Sequence, residues 1–174
     1  TLYGQHGDFE EALEPLRRAA ELSPNSPQMQ YNLAFDYFRL GRYPEARAPL
    51  AKAVARWPDL FPLNALYGAV LDKLGDAEPA YRALLHAHQL NPQDPATANL
   101  LYEVALRLAA SSLAGKQYAT SLAYLAKATE LRPDTPEPHR LLAQVYAATG
   151  RQAEAAAERR AVERLAPAGE RSPR

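Results

Sequence analysis

Residues 31–59 read YNLAFDYFRLGRYPEARAPLAKAVARWPD, and this stretch contains most of one structural repeat. Its first part places apolar side chains close to every 3.6 residues, which predicts an amphipathic helix. Gly41 follows that helix, at a place where helices often end on a residue that tolerates positive φ. Pro44 then opens a second helix, in which small and apolar residues form one stripe. The members of that stripe are Ala46, Leu50, Ala53 and Val54.

The same pattern recurs along the chain at a nearly constant period. The prolines that close successive units are separated by 34, 34, 41 and 34 residues. Such a period predicts stacked helix pairs, because neither helix of a pair can bury its apolar stripe alone. The closing prolines are Pro24, Pro58, Pro92, Pro133 and Pro167, and the turn column holds Gly7, Gly41, Gly75, Lys116 and Gly150.

These columns resemble the tetratricopeptide repeat, whose pattern has a small residue, an aromatic, a turn glycine, an alanine, a bulky residue and a closing proline. The second period matches with Leu33-Ala34, Tyr37, Gly41, Ala46, Leu50, Ala53 and Pro58. The third matches with Tyr67-Gly68, Leu71, Gly75, Ala80, Leu84, Ala87 and Pro92. The fifth matches with Leu142-Ala143, Tyr146, Gly150, Ala155 and Pro167, and the first keeps Tyr3, Gly7, Ala12, Leu16, Ala19 and Pro24.

The predicted fold is all-α, a right-handed superhelical solenoid of antiparallel helix pairs with about 4.5 tetratricopeptide-type repeats. We expect one solenoid over residues 1–166 and a frayed tail over 167–174, which has no apolar anchor. The last helix carries Arg159 in the bulky column, which is typical of a polar capping helix. The expected repeats are 1–26 (partial), 27–60, 61–94, 95–135 and 136–166.

The fourth period carries seven extra residues between Leu101 and Lys116, and Tyr102 occupies the small-residue column. Helix formers continue from Ala96, so we expect a first helix lengthened by two turns, which adds about 10 Å at about 1.5 Å per residue. A longer surface loop over residues 111–115 is the alternative. Pro15 and Pro49 are expected inside second helices, where each removes one backbone hydrogen bond.

Composition excludes several classes of protein. The chain has 174 residues with 35 Ala and 26 Leu but no Ile, 5 Val and 6 Thr, which argues against a large β-sheet. With no cysteine it has neither disulfides nor thiolate metal sites, and its 20 basic and 20 acidic residues form no nucleic-acid-binding stripe. No apolar stretch is long enough for membrane insertion. Sixteen Arg against four Lys, with abundant Ala, is typical of a GC-rich bacterial source.

We expect no catalytic site, metal or cofactor. His86 and His88 are two residues apart on a helix and therefore diverge, so exposed helical histidines are expected. The pairs Glu10-Glu11 and Glu154 with Glu158 are expected at a helix start and on a solvated face. Glycines occur singly at helix ends, so no phosphate-binding loop is present. Trp57 is expected to pack between repeats.

Stacked helix pairs leave a concave surface lined mainly by first helices. The family resemblance implies that this surface holds a peptide segment or a partner helix. With Leu33, Ala34 and Tyr37 packed inward, the helical phase predicts which side chains face a partner. They are Gln28, Tyr31, Asn32, Phe35, Phe38, Arg39, Leu66, Ala69, Asp72, Lys73, Asn99, Glu103, Arg107, Arg140 and Gln144.

Tyr31, Phe35 and Phe38 are the most suggestive of these, because large, stiff aromatics concentrate binding energy. Burial by neighbouring repeats is the equal alternative. Asn32 and Asn99 are expected to grip a peptide backbone with bidentate amides, and Arg140 to bind a carboxylate. Some family members clamp a C-terminal carboxylate with lysines and asparagines, but Tyr31 and Ala65 occupy lysine places here. A mixed apolar and polar groove is therefore expected, with Leu100, Leu106 and Leu113 as further wall.

The predicted function is a non-catalytic protein-interaction scaffold. The alternatives are a regulatory or substrate-recruiting domain of a longer enzyme, such as a kinase or glycosyltransferase, and a structural self-association module. The last alternative rests on the first repeat, which lacks the start of its first helix and would leave an apolar end face open. A homo-oligomer would form through that N-terminal end.

Overall fold

The computed structural model describes residues 9–165, with side chains from residue 13 onward, and every regular element in this range is an α-helix. The helices are α1 (Phe9–Leu22), α2 (Pro27–Arg39), α3 (Tyr43–Arg56), α4 (Phe61–Lys73), α5 (Ala77–Leu90), α6 (Pro95–Ala114), α7 (Tyr118–Leu131), α8 (Pro136–Ala148) and α9 (Gln152–Leu165). The predicted all-α class is therefore confirmed. The chain divides into two compact units, one ending at Ala98 and the other beginning at Asn99.

In the first unit, α1 to α5 pack as successive neighbours along the chain. The columns of small and bulky residues form the contacts, because Ala46, Leu50 and Ala53 of α3 are at most 2% exposed. Leu63 and Val70 of α4 complete the same core. Most residues that the sequence pattern placed inward are thus buried, whereas Tyr37 and Val54 are half-buried and pack against this core.

In the second unit, Leu125 of α7 packs with Ala109 of α6 and Val145 of α8 in one apolar core. Ser121 is fully buried in the alanine column and donates its hydroxyl to the Ala109 carbonyl oxygen at 2.9 Å. Helix α9 packs on α8, and Arg159 in its bulky column is exposed. A capping role for α9 stays a prediction.

The turns between paired helices share one geometry. In the first of these turns, the Gly41 amide donates to the Phe38 carbonyl and the Arg42 amide to the Tyr37 carbonyl, which is a Schellman motif. This motif needs a positive φ at its central residue. Gly41, Gly75 and Gly150 have φ values of 71°, 82° and 77°, and Lys116 takes the same role at 57°.

The seven-residue insertion is helical. Helix α6 has 20 residues, whereas α2, α4 and α8 have 13 each. The helical prediction is confirmed and the loop alternative is wrong, since Ser111 and Ser112 continue α6. Pro15 and Pro49 lie within α1 and α3, as expected.

Some expectations lie outside the described residues. These are the frayed tail over 167–174, the positions of Tyr3 and Gly7, the side chains of Glu10 and Glu11, and the open N-terminal face.

Candidate functional site

The α2 face, which we define as Gln28, Tyr31, Asn32, Phe35, Phe38 and Arg39, is the most aromatic surface among the predicted site residues. The rings of Tyr31 and Phe35 stack, with centroids 5.8 Å apart and planes at 12°. Phe38 turns away from this pair and packs against Tyr43 at the start of α3, at a centroid distance of 5.4 Å. The stacked pair therefore presents one continuous apolar edge.

All three aromatics of the α2 face are half-buried, because each packs against the core that α2, α3 and α4 share. Burial raises the pKa of the Tyr31 phenol above its ordinary value. Burial by neighbouring helices, one of the two interpretations that the sequence left open, therefore describes part of their environment. A binding role for the exposed part of the rings stays a prediction.

An open pocket of about 400 Å³ adjoins Tyr31. Pro27, Gln28 and Tyr31 line it from α2, and Leu60, Pro62 and Leu63 line it from the start of α4. Leu60 is 38% exposed, which is unusual for a leucine in this chain. The sequence interpretation missed this wall; its signal was Leu60, an apolar residue two positions before the helix-opening Pro62.

The predicted site residues of α4 have different environments. Leu66 is only 7% exposed and belongs to the core of α2, α3 and α4, so its assignment to the binding surface is wrong. It is buried because α2 packs directly against α4. Ala69 and Asp72 are half-buried, and Lys73 is exposed at the end of the helix.

The carboxamide oxygens of Asn32 and Asn99 are already hydrogen-bonded. Gln28 Nε2 donates to Asn32 Oδ1 at 2.8 Å, and Arg132 donates to Asn99 Oδ1 at 2.9 Å. A bidentate grip on a peptide would have to share each oxygen with its present donor. The amide N–H groups and the second lone pair of each oxygen are what these two asparagines could offer a ligand.

In the second unit, Asn99, Glu103 and Arg107 are exposed on α6, and Arg140 and Gln144 are exposed on α8. Arg140 lies 3.7 Å from the Glu137 carboxylate, a pair in which both side chains are about half exposed. With Gln144, Arg140 also lines an open pocket of about 490 Å³ between α8 and α9. Leu106 and Leu113 are half-buried and pack against the core of this unit, and their role as groove wall stays a prediction.

Tyr102 forms a cluster that sequence reasoning missed. Its ring lies under the Arg132 guanidinium at 4.1 Å, and its hydroxyl is 3.1 Å from Thr135 Oγ1. Tyr102 is only 4% exposed. The large side chain in this small-residue column is therefore buried, and it connects α6 to the turn before α8. This cluster is structural, and it also holds Asn99 through Arg132.

Two expectations about titratable groups need correction. His86 and His88 are half-buried, and His86 Nε2 lies 3.0 Å from the Pro58 carbonyl oxygen. Glu158 does not lie on a solvated face, because its carboxylate is half-buried and lies 2.6 Å from His139 Nδ1, in a hydrogen bond between α9 and α8. Glu154 is exposed beside Arg151, which lowers the pKa of that carboxyl by hydrogen bonding.

Within residues 13–165, no group of three or more His, Asp and Glu side chains is arranged to bind a metal ion. None of the described helices combines the length and apolar character needed to cross a bilayer. What the described side chains offer is aromatic and apolar surface with a few amides and charges, which suits binding of another molecule.

No curated protein matches the sequence. Similar solved structures include MamA from Desulfovibrio magneticus RS-1, at 24% identity and a TM-score of 0.60 over 94% of this chain and 88% of that one. MamA AMB-1 aligns at 19% identity and a TM-score of 0.66 over 99% of this chain and 92% of that one. The first repeat domain of Spaghetti (RPAP3), bound to the HSP90 peptide SRMEEVD, aligns at 25% identity and a TM-score of 0.59 over 62% and 85%.

The family model of the tetratricopeptide repeat matches residues 1–61 and 106–170, which together are more than half of the chain. The turn geometry, the buried columns and the paired helices agree with that match in both units. The chain belongs to the tetratricopeptide repeat family.

Proposed function

We propose that this chain is a non-catalytic protein-interaction scaffold, and that its first unit binds a peptide segment or partner helix on the α2 face. The observation that carries the proposal is the stacked, half-exposed pair Tyr31 and Phe35 beside the apolar pocket at Pro62. A rigid aromatic edge next to a cavity of this size accepts an apolar anchor side chain at low entropic cost.

The chemistry of the α2 face favours an apolar anchor over a terminal carboxylate. The RPAP3 repeat domain is bound to a peptide that ends in an acidic residue, which supports peptide binding by this fold. In this chain Tyr31 and Ala65 occupy places where lysines would hold a carboxylate, and Asn32 Oδ1 is engaged by Gln28. A ligand would therefore gain most of its affinity from apolar contact, with hydrogen bonds to Gln28 and the Asn32 amide.

The remaining predicted site residues extend the proposal within each unit. In the first unit Arg39, Ala69, Asp72 and Lys73 would form the rim of the surface. In the second unit Asn99, Glu103, Arg107, Arg140 and Gln144 offer a more polar surface. The alternative function, a regulatory or substrate-recruiting domain of a longer enzyme, would use the same contacts. The two functions differ only in whether this chain is joined to a catalytic domain.

The proposal is tested with a substitution that blocks the pocket and leaves the core intact. Pro62 and Pro44 are both exposed prolines in the first turn of a helix, but only Pro62 lines the pocket. Peptides selected from a display library on the purified chain are measured by calorimetry against Pro62→Arg and its matched control Pro44→Arg.

We expect Pro62→Arg to weaken the selected peptides by about tenfold or more, since an arginine would fill the place of an anchor worth about 2 kcal/mol. Pro44→Arg should leave affinity unchanged, and both variants should keep the helical circular dichroism of the parent chain. Failure of the library to yield a binder, or binders indifferent to Pro62→Arg, would refute the proposal.

A further inference from the structure

A second open pocket, of about 540 Å³, lies in the first unit on a surface that none of the predicted site residues line. Pro24, Pro49, Ala53 and Trp57 line its apolar part, and Lys52 and Arg56 are its two charged side chains. Pro49 inside a helix and the single tryptophan of the chain are unusual in the sequence, and Pro24 closes the first repeat. The pocket brings all three together.

The apolar part of this pocket is built from rigid groups. Trp57 ends α3, is half-buried and packs against the core of α2, α3 and α4, so its ring is held in place. Pro49 lies within α3, where its ring presents a flat apolar surface without an amide donor. Gln30 closes another side, because its Nε2 donates to the Ala20 carbonyl oxygen at 3.3 Å.

The charge of the pocket is one-sided. Lys52 and Arg56 are both exposed, and among the described lining residues there is no carboxylate. They are four residues apart on α3, an arrangement of like charges that slightly destabilises a helix. The helix dipole accounts for Arg56 in the last turn, but its effect falls off before Lys52.

The Arg56 guanidinium lies 5.4 Å from the centre of the Trp57 ring, a cation–π distance. The arginine is thereby oriented at the edge of the pocket while its N–H groups stay available to an anion. A carboxylate between Lys52 and Arg56 would relieve their mutual repulsion. An apolar or proline side chain next to that carboxylate would contact Trp57 and Pro49.

From this juxtaposition we propose that the pocket of Trp57, Lys52 and Arg56 is a second docking site, which binds an acidic peptide segment that contains an apolar or proline residue. This site is separate from the α2 face, since the two pockets share no lining residue. The pocket lining has two cations and no carboxylate, so a partner of negative charge would be complementary to it.

The test uses the fluorescence of Trp57, which is the only tryptophan of the chain and lines this pocket. The chain is titrated with the peptide acetyl-EELPEE-amide and, as a matched control, with acetyl-QQLPQQ-amide. We expect a saturable change in Trp57 emission with the acidic peptide, weaker at high salt because the attraction is screened. The uncharged peptide should bind at least about fivefold more weakly, since it lacks the charge-assisted hydrogen bonds.

The decisive variant is Lys52→Glu, because binding and stability should change in opposite directions. Glutamate four residues before Arg56 makes a favourable helix pair, so thermal stability should stay equal or increase. Affinity for the acidic peptide should fall by about tenfold, because an attraction becomes a repulsion. Arg82→Glu, at an exposed arginine of the same unit that lines neither pocket, makes the same charge change and should leave affinity unaltered.

Three results would overturn the proposal: no emission change with the acidic peptide, equal binding of both peptides, or equal affinity of Lys52→Glu and the parent chain. The same titration is repeated with anionic lipid vesicles. A change in Trp57 emission with the vesicles but not with the acidic peptide would also overturn the proposal. The display experiment tests the α2 face through Pro62, whereas the titration tests this pocket through Lys52. The failure of one proposal therefore leaves the other testable.

Discussion

Gly68 on α4 faces Leu84 on α5 so closely that a Cβ atom on Gly68 would lie 2.6 Å from Leu84 Cγ and 3.2 Å from the Leu84 amide nitrogen. Leu84 is 1% exposed, so its side chain has little room to move. The small-residue column of the repeat is thus explained at this position by contact between the two helices of one pair.

Gly68→Ala is expected to destabilise the first unit although alanine is the better helix former. Alanine gains about 1 kcal/mol in helix propensity, but overpacking against a buried leucine costs about 1–3 kcal/mol. Denaturant unfolding measures the difference. In a Leu84→Ala background the same substitution should become stabilising, and an equal loss in both backgrounds would contradict the contact.

Lys116 and Gly150 occupy equivalent turns of the second unit with φ values of 57° and 77°. A non-glycine residue in this region costs about 1–3 kcal/mol, partly offset by the greater entropy that glycine loses on folding. We expect Lys116→Gly to stabilise by about 0.5–1 kcal/mol and Gly150→Lys to destabilise by about 1 kcal/mol. Thermal unfolding measures both variants. If the two substitutions shifted the unfolding temperature in the same direction, the positive φ would not be the cause.

Asn64 is 5% exposed, and its Nδ2 donates to the Pro58 and Leu60 carbonyl oxygens at 2.6 and 3.0 Å. Asn64→Ala should cost about 1–3 kcal/mol in unfolding free energy, because the buried side chain loses two hydrogen bonds. Asn64→Asp should cost more at neutral pH, since a carboxylate cannot donate to either carbonyl.

The matched control for Asn64 is Asn32→Ala, which removes an exposed hydrogen bond to Gln28 and should change stability by less than about 0.5 kcal/mol. If both alanine variants unfolded at the same denaturant concentration, the buried hydrogen bonds of Asn64 would have no measurable role.

Asp36 is a buried carboxyl on α2, 8% exposed, and burial raises its pKa above the ordinary value of 3.8. The stability contributed by its protonated form is fully present below pH 3.8 and is lost as pH rises through the raised pKa of the folded state. Asp36→Asn should therefore raise the unfolding free energy at neutral pH and have little effect in strong acid.

The pH dependence of the Asp36→Asn gain is measured by thermal unfolding across the acidic range. Asp59→Asn, at an exposed turn residue, is the control and should show no such gain. A gain for Asp36→Asn that is equally large in strong acid would exclude burial of the charge as its cause.

The repeat and its phase were predictable from the sequence alone. Residues that recur every 34 positions in one register can be buried only if each helix pair packs on the next, and Ala46, Leu50, Ala80 and Leu84 are buried accordingly. The 41-residue spacing likewise indicated a longer helix, because helix formers continue through the insertion and α6 extends over Pro95–Ala114.

Local periodicity could not predict the depth of burial on the outer faces of those helices. Leu66 and Ala69 have similar phases on α4, yet only Leu66 reaches the shared core, because that depends on the side chains of α2. The sequence pattern gave no partner for Asn99, but its side-chain oxygen accepts a hydrogen bond from Arg132, 33 residues away.

The same reason explains the two pockets. Each is formed by residues from two segments, Tyr31 with Pro62 and Pro24 with Trp57, that meet only when the helices pack. A repeat pattern specifies which surfaces must be hidden, since burial of apolar area is what stabilises the stack. The cavities and hydrogen bonds between remote side chains depend on the tertiary arrangement, because they arise where the shapes and polar groups of different helices meet.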